Sequence, residues 1–386
     1  MEHASVKVVV WNRKNKLLNE QTLIIEKILK EFNSMDNTSK EKWEVPKYTG
    51  SQINKAGRNF VNPNSTAKEK DAALEVINNW RASHAYPLQI ICSNLRRNNP
   101  NAIVVQRLKR LDSIINKLNR NKDHVMELYR MQDLGGCRVI VDSIDDVYKA
   151  VDKYKTSSIR HILKKEYDYI KCPKESGYRS YHMVYKFCSD SKETYNKNRL
   201  IEIQFRTRLQ HIWATAVEMM GIYTKSNLKA SQGNDEILRF FTLVSSVFAA
   251  QEKMPLCPNT SQWADELIVE IEQLDKKHNI LSTLSAINVT INYTSELKIK
   301  GKNLYYLLIL NYSKKNVRVR SFNSSQIEVA TKIYDTVEKE SNLDAVLVSA
   351  TSFETLKLAY PNYFVDISAF IDNLRDIINF YKSLME

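Results

Sequence analysis

The run Cys137-Arg-Val-Ile-Val-Asp142 decides the fold. Its apolar, β-branched stretch reads as a strand, and residues 144–155 behind it carry the apolar spacing of a helix. Further strands are expected at 163–169, 180–187 and 200–205, followed by helices over 207–225 and 234–251. A β-α-β-β-β order implies a mixed sheet with helices on its faces. Upstream, 17–32 reads as a short amphipathic helix and 33–65, with Pro46, Gly50, Gly57 and Pro63, as loop-rich. Thr66 followed by Glu69 opens a capped helix, expected to run to about Tyr86 and to stop at Pro87. Val104, Leu108, Leu111, Ile115 and Leu118 fit the buried stripe of one helix over 102–119. Beyond the prolines of Met254-Pro-Leu-Cys-Pro258, the pattern gives a helix at 261–284 and an antiparallel meander at 287–293, 304–312 and 317–322. A helix at 326–341, a buried strand at 345–350 and a closing helix at 367–384 complete it. The reading is an α+β chain in three parts: a mainly helical extension (1–98), a mixed-sheet domain (99–254) and a smaller α+β domain (258–386).

Composition narrows the function. The 386 residues are 43% hydrophobic and 26% charged, with only eight Gly and eight Pro, which is globular and neither collagen-like nor low-complexity. No run approaches the ~18–20 apolar residues of a membrane span. The start of the sequence does not resemble a secretory signal. The five cysteines (92, 137, 172, 188 and 257) lack CxxC spacing. A reducing cytoplasm and no membrane partner are therefore expected. Of the net charge of +13, residues 251–386 contribute 15 basic and 17 acidic groups, so the first 250 residues carry all of the positive excess. Such a field favours nucleotides or nucleic acid, although a Lys-rich soluble surface gives the same count.

Five clusters carry chemistry. Arg107, Lys109, Arg110, Ser113 and Lys117 gather several cations and a hydroxyl, which suits a polyphosphate, although a solvated basic face gives the same pattern. On the expected helix, Arg107, Arg110, Ser113 and Lys117 share a face. Asp133 precedes Gly135-Gly136 at a strand entrance, a place from which a carboxylate can approach a metal. The stretch from Asp168 to His182 sets Lys171, Lys174 and Arg179 around Gly177-Tyr178: cations for phosphate and a ring for a base. In 201–206, alternation puts Glu202, Gln204 and Arg206 on one face and Ile201, Ile203 and Phe205 on the other. His211 and Glu218 lie two turns apart on the next helix, with Trp213 expected in the core. Asp133 and Glu202, from neighbouring strands, are the pair suited to hold Mg²⁺ between them.

Taken in order, RxKxxxS (107–113), DxGGxR (133–138), DYIxxPKxxGYRSxH (168–182) and EIQxRTxxxH (202–211) resemble the synthetase domain of the RelA/SpoT alarmone synthetase family. The resemblance covers roughly 100–226. Each motif alone is weak; their shared order and spacing is specific. It implies a nucleotidyltransferase-like fold and transfer of the β,γ-pyrophosphate of ATP to a ribose 3′-hydroxyl, usually of GDP or GTP. By that resemblance Arg107 and Arg138 sandwich adenine, and Lys109, Ser113 and Lys117 hold the triphosphate. Asp133 binds Mg²⁺, and Glu202 binds Mg²⁺ or takes the hydroxyl proton. Tyr178 stacks on the acceptor base, Lys174 and His182 face phosphates, and Gln204 orients the acceptor ribose.

Departures from the family pattern shape the expectation. Tyr167 stands where a basic residue commonly precedes the DYI motif, with Lys164 or Lys165 as substitutes. Position 181 is Tyr where Leu or Ile is common, which reads as packing. No His-Asp dipeptide is present, so the hydrolase half of the long bifunctional enzymes is not expected. Three readings stay open: a guanosine tetra- or pentaphosphate synthetase; a toxin-like relative whose acceptor is the tRNA 3′ end or an adenine nucleotide, restrained by 258–386 and suited to phage defence; and a catalytically silent nucleotide- or RNA-binding module. A protein trigger acting on 258–386 and homo-oligomerisation are compatible with each.

Overall fold

A computed structural model describes residues 43–119, 126–224, 226, 228, 232–288, 292–296, 304–311, 316–337, 343–350, 355–356, 359 and 367–385. The helix expected at 17–32 lies outside them.

Three helices open the described chain: α1 (Gly50–Val61), α2 (Ala67–Ala82) and α3 (Ala85–Asn98). The first corrects the expected loop. Thr49 and Gln52 form a capping box at its start, which outweighs the glycines read as breakers, and Gly57 faces Leu128 where a Cβ would stand 3.0 Å from it. The capping box at Thr66 and Glu69 is present. Pro87 does not stop α2, which ends at Ala82; it sits in the first turn of α3, where a missing N–H costs nothing.

The single helix expected over 102–119 is two elements, β1 (Ile103–Leu108) and α4 (Leu111–Asn119). Ile103, Val104 and Val105 are β-branched, and β1 pairs antiparallel with β2 (Gly135–Val141) from Ile103↔Ile140 to Leu108↔Gly135. Tertiary pairing overrides the helical spacing. The elements α5 (Ile144–Thr156), β3 (Ile162–Asp168), β4 (Tyr181–Lys186), β5 (Leu200–Thr207), α6 (Arg208–Tyr223) and α7 (Asp235–Gln251) follow as expected within a residue or two.

Beyond α7 the expected 261–284 helix divides at Asn279, whose φ of 52° breaks it into α8 (Ala264–His278) and α9 (Ile280–Asn288). The remaining elements are β6 (Asn292–Glu296), β7 (Leu304–Asn311), β8 (Asn316–Phe322), α10 (Ile327–Val337), β9 (Leu343–Ala350) and α11 (Ser368–Met385). They are not a simple meander. β7 and β8 form an antiparallel pair, but β6 joins β8 in parallel, and β9 pairs with β7 on one side and β1 on the other.

All nine described strands make one mixed sheet in the order β3-β4-β5-β2-β1-β9-β7-β8-β6. The α+β class expected from the sequence is therefore present, and the strands of the C-terminal part continue the sheet through β1 and β9. Side chains that alternate along β2, β4 and β5 separate its faces. Val139, Met183, Ile201, Ile203 and Phe205 bury against α3 and α5 in one core. The opposite face of the same strands carries Arg138, His182, Glu202 and Gln204. Above that face stands a helical layer: α6, α7, α8, α9 and α11 share a core built around Trp213, Phe241, Phe248, Ile268 and Phe370. The cleft lies between this layer and the polar side of the sheet. Among the described residues, no helix is long and apolar enough to cross a membrane.

Candidate active site

Register explains why the polar groups meet. Residues directly paired across adjacent strands point to the same face. One such row reads His182 (β4), Gln204 (β5) and Arg138 (β2); the next reads Glu202 (β5), Gly136 (β2) and Arg107 (β1). Gly136 leaves the floor between Glu202 and Arg107 open. A Cβ there would meet nothing closer than the Glu202 carbonyl oxygen at 3.9 Å. Gly135, one residue earlier, faces the core instead: its Cβ would stand 2.7 Å from Ile201 Cδ1.

Two adjoining cavities occupy the cleft. One, of about 520 Å³, is lined by Arg107, Lys109, Arg110, Ser113, Lys117 and Asp133, with Glu218 on its helical side. The other, of about 280 Å³, is lined by Arg138, Lys174, Tyr178, His182, Glu202 and Gln204 and walled by Trp213 and Phe241. Arg107 and Asp133 border both. Each residue given a role by the family resemblance reaches one of the two cavities. The elements differ in the first cluster: Arg107 is on β1, Lys109 follows it, and Ser113 and Lys117 share a face of α4.

Asp133 is held by two cations. Lys109 Nζ donates to Oδ2 at 2.7 Å and Lys117 Nζ to Oδ1 at 3.0 Å. Burial opposes ionisation, but the two lysines outweigh it and hold the carboxyl at about 2. Burial in turn pushes Lys109 below the usual lysine range, against the pull of Asp133.

Around Glu202 the hydrogen bonds close into a ring. His182 Nδ1 lies 3.1 Å from Glu202 Oε1, and His182 Nε2 lies 2.8 Å from the Tyr178 hydroxyl. Arg206 Nη2 donates to Tyr178 Oη at 3.2 Å and to Gln204 Oε1 at 2.6 Å. Gln204 Nε2 donates to Glu202 Oε2 at 2.7 Å. Burial alone would lower His182; Tyr178 and Glu202 outweigh it and raise the imidazole to about 9. Burial works against the charge of Glu202 as well, yet its bonds to His182 and Gln204 keep it below the usual carboxylate range. Burial would also raise Tyr178, whereas His182 and Arg206 bring it down to about 8.

Arg206 is the residue that sequence reading undervalued. It was legible on the polar side of β5 but received no role. It is buried, lines the second cavity and closes the ring. Arg179, read as a phosphate cation, turns inward instead: it donates to Ser245 Oγ at 3.0 Å and to the Ile170 carbonyl at 3.2 Å. Lys171 sits over the Tyr148 ring, outside both cavities. His211 is buried within α6, while Trp213 is core as expected and donates through Nε1 to the Phe241 carbonyl at 2.8 Å.

The stretch that builds both cavities, residues 106–228, matches the family model described as a region found in RelA and SpoT proteins. Residues 106–228 are a RelA/SpoT domain. Two curated relatives match this part of the chain. GTP pyrophosphokinase YjbM of Bacillus subtilis (strain 168) is 34% identical over 131 residues, covering 33% of this chain and 60% of the relative. GTP pyrophosphokinase YwaC of the same organism is 32% identical over 150 residues, covering 36% and 66%. The chain thus spans less than two thirds of the length of either. Among solved structures, Bacillus subtilis small alarmone synthetase 1 bound to its product pppGpp is 24% identical, covering 44% of this chain and 89% of that one, with a TM-score of 0.39. A GTP pyrophosphokinase family protein from Streptococcus pneumoniae is 30% identical over 43% of this chain and 80% of its own, with a TM-score of 0.32. The RelA/SpoT domain begins within β1 and ends just beyond α6, so it contains the whole polar face from Arg107 to Arg206.

Proposed function

We propose that the RelA/SpoT domain is a pyrophosphokinase that moves the β,γ-pyrophosphate of ATP to a ribose 3′-hydroxyl, with GDP or GTP as the acceptor its relatives' names suggest. The observation that carries this reading is the pair of adjoining cavities that share Arg107 and Asp133. A donor and an acceptor can lie end to end across that border.

In this reading Arg107 holds the adenine and Lys109, Ser113 and Lys117 hold the triphosphate, while Arg138, paired with Arg107 by the family resemblance, would reach the adenine from the smaller cavity that it lines. Tyr178 faces the acceptor base, Lys174 and His182 face phosphate, and Gln204 orients the ribose. The acceptor 3′-oxygen attacks the β-phosphorus, the bond from that phosphorus to the α-phosphate oxygen breaks, and AMP leaves. Glu202, kept ionised by its ring of partners, takes the hydroxyl proton. The protein contributes position and charge.

The residues fit a Mg²⁺ ion. Mg²⁺ needs only one or two carboxylates beside water and phosphate oxygens. Asp133 is close enough to Glu202 to oppose its ionisation, although among the described residues no cluster of three metal-ligating side chains occurs. Asp133 and Glu202 would hold the ion, which would neutralise phosphate charge. Lys109 and Lys117 are the groups that release Asp133 to do so.

The second reading, a tRNA 3′ end as acceptor, is favoured by the positive excess confined to the first 250 residues. We read 258–386 as a regulatory or sensing part, open to a protein trigger, and the cytoplasm as the compartment. The test is transfer from γ-³²P-labelled ATP to GDP, GTP, AMP, ADP and tRNA side by side, with Glu202→Gln as the blank. Label on a guanine nucleotide supports the first reading and label on tRNA the second. Nucleotide binding without label on any acceptor replaces both with a silent binding module.

A further inference from the structure

The catalytic side of the sheet does not end at His182. The row that joins Arg138, Gln204 and His182 continues one strand further, to Tyr167 on β3. The row that joins Arg107, Gly136 and Glu202 continues through Val184 to Lys165. β3 is the outermost strand of the sheet, and both residues are exposed.

Tyr167 does not stand alone. Its ring lies parallel to that of Tyr169, with centroids 5.6 Å apart and an angle of 5°. Tyr169 meets Tyr178 edge-on at 6.2 Å and His182 at 5.2 Å. Lys174 Nζ sits 4.4 Å from the centre of the Tyr169 ring and 5.5 Å from that of Tyr178. A line of rings, with the Lys174 ammonium over two of them, therefore leads from the acceptor cavity to the sheet edge, and Tyr167, 38% exposed, ends it. A mononucleotide held at Tyr178 has no use for this step. Exposed rings beside cations are what unpaired bases and their phosphates bind.

We propose that Lys165, Tyr167 and Tyr169 form a second base-stacking subsite, which takes the base preceding the acceptor residue when the acceptor is the 3′ end of a single-stranded nucleic acid. This inference rests on the transfer reaction of the preceding section. The terminal residue occupies the Tyr178 cavity and offers its 3′-hydroxyl to Glu202. The next base stacks on the outer tyrosines, and the phosphate between them lies near Lys174 and Lys165. A duplex end is a poor ligand because its bases are already stacked on one another.

The test uses the full chain, γ-³²P-labelled ATP and four acceptors: GDP, tRNA, a single-stranded RNA hexamer and its DNA counterpart, each oligonucleotide also supplied with a blocked 3′ end. Wild type is compared with Tyr167→Ala and Tyr167→Phe. Label is expected on a nucleic acid with a free 3′ end and not on the blocked one. Tyr167→Ala should lower kcat/KM for that acceptor about 5- to 150-fold, the equivalent of ~1–3 kcal/mol of stacking per base, while Tyr167→Phe retains activity and GDP turnover stays within about twofold. Comparison of tRNA, RNA hexamer and DNA identifies which strand the subsite prefers. Label on GDP without label on any nucleic acid overturns the subsite and leaves the pyrophosphokinase reading standing. So does a nucleic acid labelled equally well by Tyr167→Ala, or an equal loss with GDP. Label on no acceptor overturns the pyrophosphokinase reading itself, and the subsite with it.

Discussion

His182 and Glu202 are hydrogen-bonded at 3.1 Å, and the imidazole reaches the Tyr178 hydroxyl with its other nitrogen. The group proposed to face the acceptor base and the group proposed to take the proton are therefore joined through one histidine. That histidine is held as a cation, at about 9, by the two acceptors it bridges. A histidine whose folded value is raised contributes stability that is complete below its unfolded value of about 6.5 and is lost as pH rises through about 9. NMR titration of His182 should give a value well above 6.5, and Glu202→Gln or Tyr178→Phe should each lower it. Tyr178, itself lowered to about 8, acts in the opposite sense, since its contribution grows as pH rises. Unfolding free energy should therefore fall between pH 6.5 and 9 by less than His182 alone would give. A His182 titration at or below 6.5 contradicts the ring.

Asp133 is clamped by Lys109 and Lys117. Its lowered value means that its contribution to stability is present above about 3.8 and is lost as pH falls through about 2. Asp133→Asn keeps the shape and removes the charge. It should cut kcat by on the order of 100-fold or more, the usual cost of losing a group aimed at developing charge. Circular dichroism should remain unchanged. Lys117→Met should raise KM for ATP more than KM for the acceptor, because Lys117 borders only the larger cavity. An equal rise in both would remove Lys117 from the donor side.

Two glycines separate a folding requirement from a functional one. Gly177 has φ of +83°, and a Cβ there would stand 3.0 Å from both Trp213 Cζ2 and Ser245 Cβ. Gly177→Ala should destabilise the fold by roughly 1–3 kcal/mol, read by denaturant unfolding. Gly136→Ala meets no such obstacle. It should leave the unfolding midpoint nearly unchanged yet reduce transfer, since its methyl group enters the floor between Glu202 and Arg107. Full activity in Gly136→Ala would mean that substrates do not lie on that floor.

The sequence exposed β5 clearly because a period of two places Ile201, Ile203 and Phe205 opposite Glu202, Gln204 and Arg206, and no helix reproduces that pattern. Residues 102–119 misled because Val104, Leu108, Leu111, Ile115 and Leu118 satisfy helical spacing while belonging to a strand and a short helix. The β-branched run Ile103-Val104-Val105 was the available corrective signal. Pairing of Gln106 with Ser349 could not be read at all, since register between strands 243 positions apart is set by packing that leaves no local pattern. Arg179 failed for a related reason: nothing in a Lys- and Arg-rich loop distinguishes the cation that turns inward to Ser245 from those that face the cleft.

The C-terminal helix is tied to the wall of the smaller cavity, the proposed acceptor site. Phe370 of α11 is fully buried and lies 6.1 Å from Phe241 and 5.9 Å from Phe248, centroid to centroid. Phe241 lines the smaller cavity, and its carbonyl accepts from Trp213, which lines it too. Phe370→Ala removes one side of that support and leaves a cavity behind it, so the expected cost is roughly 3–5 kcal/mol in denaturant unfolding. Its functional signature should be selective. KM for the acceptor should rise more than KM for ATP, because Phe241, on which Phe370 packs, lines the smaller cavity and not the larger one. A variant that loses stability but keeps both KM values would show that α11 braces the fold without shaping the acceptor wall. A variant in which both rise together would place its effect on the cleft as a whole.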